Sequence, residues 1–272
     1  MTGASKGLGL ALVTELLAKG YRVAATSRDP AALARAVPAA DAAHFLPLAV
    51  DLTQDTSVAA SFKEVHQTFG RLDVVVNNAG YGTGGALEKL SSAEIQASFD
   101  ANFFAVIRVI QQALPYLRCQ RSGHILNISS IAGFAPGVGW SVYAAAKFAV
   151  TGLSEALAPF NIHVSAVSPS WFRTNFVKSD SIAFAQQPSD DYPKIRAAHA
   201  RFNQLDGKQL GNPSKVAAAL LVLVTNRNPP KNLFLGSDAW MRATAKIEQL
   251  AEQTAQWQAV SASTDFAADA EA

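Results

Sequence analysis

The sequence predicts an α/β domain built on a doubly wound parallel sheet, and three observations carry that prediction. Strand-like and helical runs alternate along the chain, the order that places helices on both faces of a parallel sheet. LDVVVNN at 72–78 and GHILNIS at 123–129 are nearly unbroken apolar runs, as strands buried on both faces require. A glycine-rich turn, TGASKGLG at 2–9, leads directly into an apolar stretch with helical spacing. With 272 residues, 49% of them apolar, one sizeable core and one domain are the default. We place that domain over 1–258 and read 259–272 as a frayed, acidic tail.

The elements follow in order. LGLALVTELLAKG stops at Gly20, as a helix with a glycine cap does. Arg22–Ser27 reads as a strand, and Asp29 with Pro30 supplies the N-cap and first residue of the next helix. Further strands are expected at Phe45–Val50, Leu72–Asn77, His124–Ser129, Ile162–Ser168 and Asn232–Leu235. Amphipathic stretches at Ser57–Phe69, Ala93–Leu117 and Ser141–Pro159 lie between them, Pro213 opens a later helix, and Trp240–Gln258 reads as a polar surface helix. NNAG at 77–80, Ser129–Ser130 and SPS at 168–170 all follow strand ends. They therefore converge on the carboxyl edge of the sheet, where such folds bind ligands.

Chemistry is concentrated in SSIAGFAPGVGWSVYAAAK at 129–147. Tyr143 and Lys147 are four residues apart and share one helix face. A free phenol, with a pKa of about 10, exchanges protons slowly at neutral pH, and a neighbouring ammonium favours the phenolate. Tyr143 is thus the candidate acid/base, and Ser130, thirteen residues earlier, can hold the reacting oxygen. The partner of this proton-transfer set is the glycine turn. Gly3, Ser5, Lys6, Gly7, Leu8 and Gly9 let a backbone approach a pyrophosphate at a helix N-terminus. At the end of the next strand an acidic residue would select a free ribose 2′-hydroxyl, and a basic one a 2′-phosphate. Arg28, supported by Lys6, favours NADP(H), with NAD(H) possible; the competing Asp29 is read as the helix cap.

With these pieces in place the chain resembles a classical short-chain dehydrogenase/reductase. The motifs are TGASKGLG, DLT at 51–53, NNAG, Asn102 in FDANFFAV, Ser130, YAAAK and SPSWFRT, matching from Thr2 to about Thr174 and more loosely to Ala239. NNAGYG and NPPKNLFLGSDA are most similar to the branch of 17β-hydroxysteroid and retinol dehydrogenases. The resemblance implies a Rossmann fold and a catalytic tetrad of Asn102, Ser130, Tyr143 and Lys147. It gives Lys147 the nicotinamide ribose as well as the phenol, and Asn102 a water that extends the proton relay. Asp51 and Leu52 are implied to contact adenine, Asn78, Ala79 and Gly80 to line the adenosine side, and Pro169 and Thr174 to reach the nicotinamide end. Two positions depart from the pattern: Ala146 stands where serine is usual, and Ser170 where glycine usually follows the proline. The family also has a hydrophobic strand before the glycine turn, whose last position Met1 occupies. The first strand is therefore expected to be missing, with Met1 a truncated or misassigned start and roughly six to ten residues lost.

Other features bound the function. A net charge of +2 with no run of five basic residues gives no nucleic-acid surface. VAAALLVLV at 216–224 is half the length of a membrane span. One cysteine, Cys119, and no signal-peptide pattern fit a cytoplasmic protein. The five histidines are scattered without metal-site spacing and read as surface or strand-start residues, so no metal is expected. Between Trp171 and Gly211 the chain carries Phe172, Phe176, Phe184, Tyr192 and Phe202. This is the expected lid (171–211) over an apolar substrate pocket, with Tyr81 as a further wall. The reading is an oxidoreductase interconverting a small-molecule carbonyl and alcohol, as a homodimer or homotetramer. A non-catalytic dinucleotide sensor on the same fold is the alternative.

Overall fold

The computed structural model describes residues 1–37, 41–157, 161–174, 176, 181–187 and 191–266. Four parallel strands form its main sheet in the order β3 (Val74–Asn77), β5 (His124–Ile128), β6 (His163–Pro169) and β8 (Asn232–Leu235). Two more, β1 (Val23–Ser27) and β2 (Phe45–Ala49), pair in parallel beside it. Residues 1–4 bridge the two parts. Thr26 N–H donates to Met1 O (2.9 Å), Ala4 N–H to Thr26 O (3.1 Å), and Thr2 N–H to Val76 O (3.0 Å). Among the described residues no strand precedes the first helix, α1 (Gly7–Ala18).

The apolar strand runs have a simple cause. Neighbouring residues point to opposite faces of a strand, and here both faces are covered. Val75, Ile125 and Val164 feed a core that includes Val58 of α3 (Asp55–Phe69) and Val106 to Leu117 of α5 (Ala105–Gln120). Val76, Leu126 and Val167 feed a second core with Leu12 of α1 and Val216 to Leu223 of α8 (Val216–Thr225). Ile125 and Leu126 are both fully buried. Each such side chain contributes about 2–3 kcal/mol by leaving water.

Helix ends follow the local chemistry. Asp29 caps α2 (Pro30–Ala36) by accepting from Ala32 N–H at 2.9 Å, as its sequence position foretold. Ser91 and Glu94 form a capping box for α4 (Ser92–Phe99). The single long helix expected at 93–117 is interrupted: Asp100–Phe104 is a π turn between α4 and α5. Asn102 sits inside it and donates from its side chain to Ser98 O at 3.0 Å, competing with the regular backbone ladder.

Two short strands were invisible to periodicity. β4 (Gly82–Gly84) follows NNAG, and β7 (Ile182–Phe184) pairs with it in parallel from within the expected lid. Next come α6 (Ser141–Ala156), which precedes β6, and α7 (Pro193–Asn203), which follows β7. The C-terminal helix α9 (Ser237–Gln256) is continued by α10 (Gln258–Ala262), so part of the segment read as tail is helical; 267–272 lies outside the described residues. Among the described residues no helix is long and apolar enough to cross a membrane.

Candidate active site

The carboxyl edge of the sheet gathers the glycine turn, NNAG, the Ser130 turn and the start of α6. Gly3 and Gly7 adopt φ of 65° and 59°, which side chains rarely tolerate. The turn is also crowded. A Cβ on Gly9 would lie 2.3 Å from Gly3 O, and one on Gly3 would lie 2.7 Å from Ala79 Cα. α1 begins at Gly7, so the N–H groups of Gly7, Leu8 and Gly9 lack helical acceptors and form a positive cradle at the helix start. No acidic residue occupies its first turn.

NNAG is locked to this turn. Thr2 Oγ1 accepts from Asn78 N–H (3.0 Å) and Ala79 N–H (3.1 Å). Asn78 Nδ2 donates back to Thr2 O (3.0 Å) and Gly3 O (2.9 Å). Asn78 therefore fixes the two loops to each other. Thr2 was not singled out from sequence, although it opens the motif.

At the carboxyl end of β1, Arg28 is exposed, and its charge adds to the hydrogen bonds that hold the Asp51 carboxyl below the usual range. The larger cause is hydrogen bonding: Asp51 Oδ1 accepts from Thr53 Oγ1 at 2.7 Å and Thr53 N–H at 2.9 Å. Leu52 is half-buried beside it. Asp29, turned into its own helix cap, leaves Arg28 as the charge that the strand end presents. A glycine cradle, free helix N–H groups and a basic strand end together fit a dinucleotide phosphate chain.

Ser129 and Ser130 face opposite ways. Ser129 Oγ donates to Lys147 O (3.0 Å) and pairs with Thr151 Oγ1 (3.0 Å), buried against α6. Ser130 caps the turn Ile131–Gly133 by accepting from Ala132 N–H at 3.1 Å, and its hydroxyl is near enough to the Tyr143 phenol to lower its pKa. Burial drives the Tyr143 pKa up to about 12, with Ser130 pulling the other way. Burial also brings Lys147 down to about 8. Its ammonium stands 5.8 Å from the Tyr143 ring centre and donates to Ile128 O at 3.0 Å. Burial thus favours the protonated phenol, an effect that the Tyr143–Lys147 spacing alone does not reveal.

Gly80 brings the fourth member in. A Cβ there would lie 2.6 Å from Asn102 Oδ1 and 3.4 Å from Lys147 Nζ, so only glycine lets both approach. Asn102 is fully buried; its Oδ1 accepts from Tyr81 N–H at 3.2 Å, and Nδ2 donates to Tyr81 O at 3.0 Å. It ties the loop after NNAG to the π turn beside Lys147. Beyond Pro169, Thr174 folds back over the glycine turn, its Cβ 3.7 Å from where a Gly7 Cβ would stand. Ser5 and Lys6 stand in the turn itself, and Lys6 is the N-cap residue of α1.

The lid aromatics divide into three groups. Phe172 packs on the α1–α8 core, and Tyr192 hydrogen-bonds Glu88. The rest gather on Trp140, one turn before Tyr143, a residue that sequence reading passed over. Its ring lies 6.4 Å from Tyr143, 6.0 Å from Phe184 and 5.0 Å from Phe202, while Phe176 lies 6.4 Å from Tyr143. His199 joins them, 5.2 Å from Trp140 and bonded to Gly139 O at 3.1 Å, with burial lowering its pKa. It is no surface histidine. His124 is a strand-start residue as expected, but buried and paired with Ser165 Oγ at 2.9 Å.

Known proteins agree with this architecture. A short chain dehydrogenase family profile matches residues 1–183. The 3-ketodihydrosphingosine reductase of Bacteroides thetaiotaomicron is 35% identical, over 89% of this chain and 91% of its own. Human retinol dehydrogenase 8 is 35% identical, over 85% and 78% respectively. A crystal structure of a short-chain dehydrogenase from Streptomyces avermitilis superposes with a TM-score of 0.87 at 33% identity, covering 97% of each chain. Two more distant solved neighbours were crystallised one with NAD and the other with NADP. The chain belongs to the short-chain dehydrogenases, oxidoreductases on a Rossmann-like fold, in their retinol and hydroxysteroid dehydrogenase-like branch.

Proposed function

We propose that this protein is an NADP(H)-dependent carbonyl reductase and alcohol dehydrogenase acting on a bulky apolar substrate. One observation carries the reading: a buried phenol, Tyr143, with Ser130 beside it and Lys147 facing its ring, lies at the same sheet edge as the glycine cradle. Arg28 and Lys6 would hold the 2′-phosphate, Asp51 and Leu52 the adenine, and the α1 N-terminus the diphosphate. Pro169 and Thr174 would flank the nicotinamide. When bound, the coenzyme supplies or accepts the hydride.

The residues handle the proton. In reduction, Ser130 and Tyr143 would both donate to the substrate oxygen, fixing the carbonyl in one orientation. As negative charge builds there, that oxygen becomes far more basic than a phenolate. Tyr143 therefore gives up its proton despite a pKa near 12. The Lys147 ammonium stabilises the phenolate left behind, and Asn102 would hold the water that refills it. In oxidation the same steps run backwards.

Trp140, Phe176, Phe184 and Phe202 support an apolar substrate, because their rings gather beside the phenol. A panel of hydrophobic ketones and aldehydes, followed by NADPH absorbance, tests the reading. Tyr143→Phe should lower turnover by about 10³-fold and leave coenzyme affinity unchanged. Unchanged turnover would refute the assignment. We also place the enzyme in the cytoplasm as a homodimer or homotetramer, to be checked by fractionation and light scattering.

A further inference from the structure

The segment that leaves β6 is tied to the C-terminal helix, and that helix is tied to the Ser130 turn. Ser170 N–H donates to Leu235 O at 3.1 Å, and its hydroxyl donates to the Asp238 carboxylate. One turn along α9, Arg242 Nη1 lies 3.8 Å from that carboxylate. Arg242 Nη2 donates to Ala135 O at 2.5 Å. Ala135 N–H closes the turn capped by Ser130, donating to Ile131 O at 2.7 Å. Apolar contacts run parallel: Ile131 is buried with Ala239 and Ala243, and the Phe134 and Phe234 rings are 5.0 Å apart. Ser170 stands where the family resemblance leads one to expect glycine, and glycine has no hydroxyl to offer Asp238.

We propose that Asp238 and Arg242 are positioning residues that set the spacing between two loops of the site. One loop carries Ser130, which would hold the substrate oxygen; the other, Ser170 to Thr174, would flank the nicotinamide. This rests on the reductase reading above. Both loops are short and irregular, whereas hydride transfer needs its two carbons held within about 3–3.5 Å. A helix rigidly docked on both supplies a common ruler. The carboxylate accepts the hydrogen bond from the Ser170 hydroxyl, and the guanidinium both balances that carboxylate and fixes the Ala135 carbonyl. Neither side chain touches the substrate or coenzyme sites.

The test compares Ser170→Ala, Asp238→Ala, Asp238→Asn and Ser170→Ala/Asp238→Ala with the unaltered protein. Hydrogen exchange in the ligand-free protein is the first readout. Removing the Asp238 carboxylate should speed exchange about tenfold in both 130–135 and 170–174, while α5 and β5 stay protected. Steady-state kinetics with NADPH is the second. kcat should fall about tenfold in each single variant, the double variant should lose no more than either single, and KM for NADPH should move less than threefold. Faster exchange at 170–174 alone would show two independent loops and overturn the proposal. Lowered thermal stability with unchanged kcat would also overturn it, leaving a purely structural role. Asp238→Asn keeps the shape of the site and reads the same quantities if the alanine variant fails to fold. A protein inactive with every carbonyl would defeat the reductase reading, while the exchange data would still decide whether the loops are coupled.

Discussion

The glycine-turn edge of the sheet and the aromatic cluster around Trp140 are held by different forces. At the edge, Thr2, Asn78 and the glycine turn are joined by directional hydrogen bonds of 2.9–3.1 Å, and the glycines are there because a side chain would collide. Over the phenol, Trp140, Phe176, Phe184, His199 and Phe202 are joined by ring contacts of 4.8–6.4 Å. Hydrogen-bonded loops tolerate few residue types. Aromatic clusters tolerate many, since dispersion is non-directional and volume matters more than identity. Recognition of a fixed coenzyme suits the first; recognition of one substrate among many suits the second.

The largest separation between the regions should come from Arg28→Asp. It replaces a cation at the end of β1 with an anion, next to Asp51, and touches nothing in the lid. A charged hydrogen bond to phosphate is worth about 1.5–3 kcal/mol, so NADPH affinity should fall roughly 10- to 150-fold while NADH affinity barely moves. Fluorescence titration with each coenzyme measures it; equal losses for both would reject Arg28 as the phosphate ligand. The converse experiment is Trp140→Ala. Removing the hub of the lid cluster should raise KM for a bulky substrate about tenfold and leave NADPH affinity intact. A matching loss of NADPH affinity would mean the two regions are not separable.

These contrasts explain what the sequence made legible. The strands and the Asp29 cap were readable because each depends on local spacing or on a side chain bonding its own neighbourhood. The π turn at Asp100–Phe104 was not, because Asn102 is anchored to Tyr81, twenty-one residues away. β4 and β7 also escaped, since strands of three residues are too short to show a period. Trp140 and His199 meet only in three dimensions. The Tyr143–Lys147 spacing told which groups face each other, and it says nothing of desolvation, which raises the phenol pKa.

Lys147 gives a smaller and sharper effect. Its pKa of about 8, against an ordinary 10.5, means the native ammonium is lost at a lower pH than a free lysine's. If that cation supports the Tyr143 phenolate, kcat/KM for reduction should be level below pH 8 and fall several-fold between pH 8 and 9.5. Stability should move the other way. Between pH 8 and 10.5 the unfolded chain keeps a proton the native state has released, so unfolding becomes harder as pH rises through that window. Activity and thermal stability measured on the same samples should therefore diverge. Parallel loss of both would place the alkaline limb elsewhere.

The smallest effect is predicted where a sequence motif would suggest a large one. Asp29 lies about twenty residues past the glycine turn, the distance at which an acidic residue commonly accepts from an adenosine ribose. Its Oδ1 instead accepts from Ala32 N–H at 2.9 Å, and Oδ2 faces Arg35 at 4.0 Å. A carboxylate bound into its own helix start is turned away from the strand end that Arg28 occupies. Asparagine caps helices as well as aspartate does, so Asp29→Asn should preserve α2 and change the NADH-to-NADPH affinity ratio by less than about twofold. A selective, fivefold or greater loss of NADH binding would show that the carboxylate leaves its cap to take the ribose. In that case the basic strand end would no longer be sufficient reason to choose between the two coenzymes.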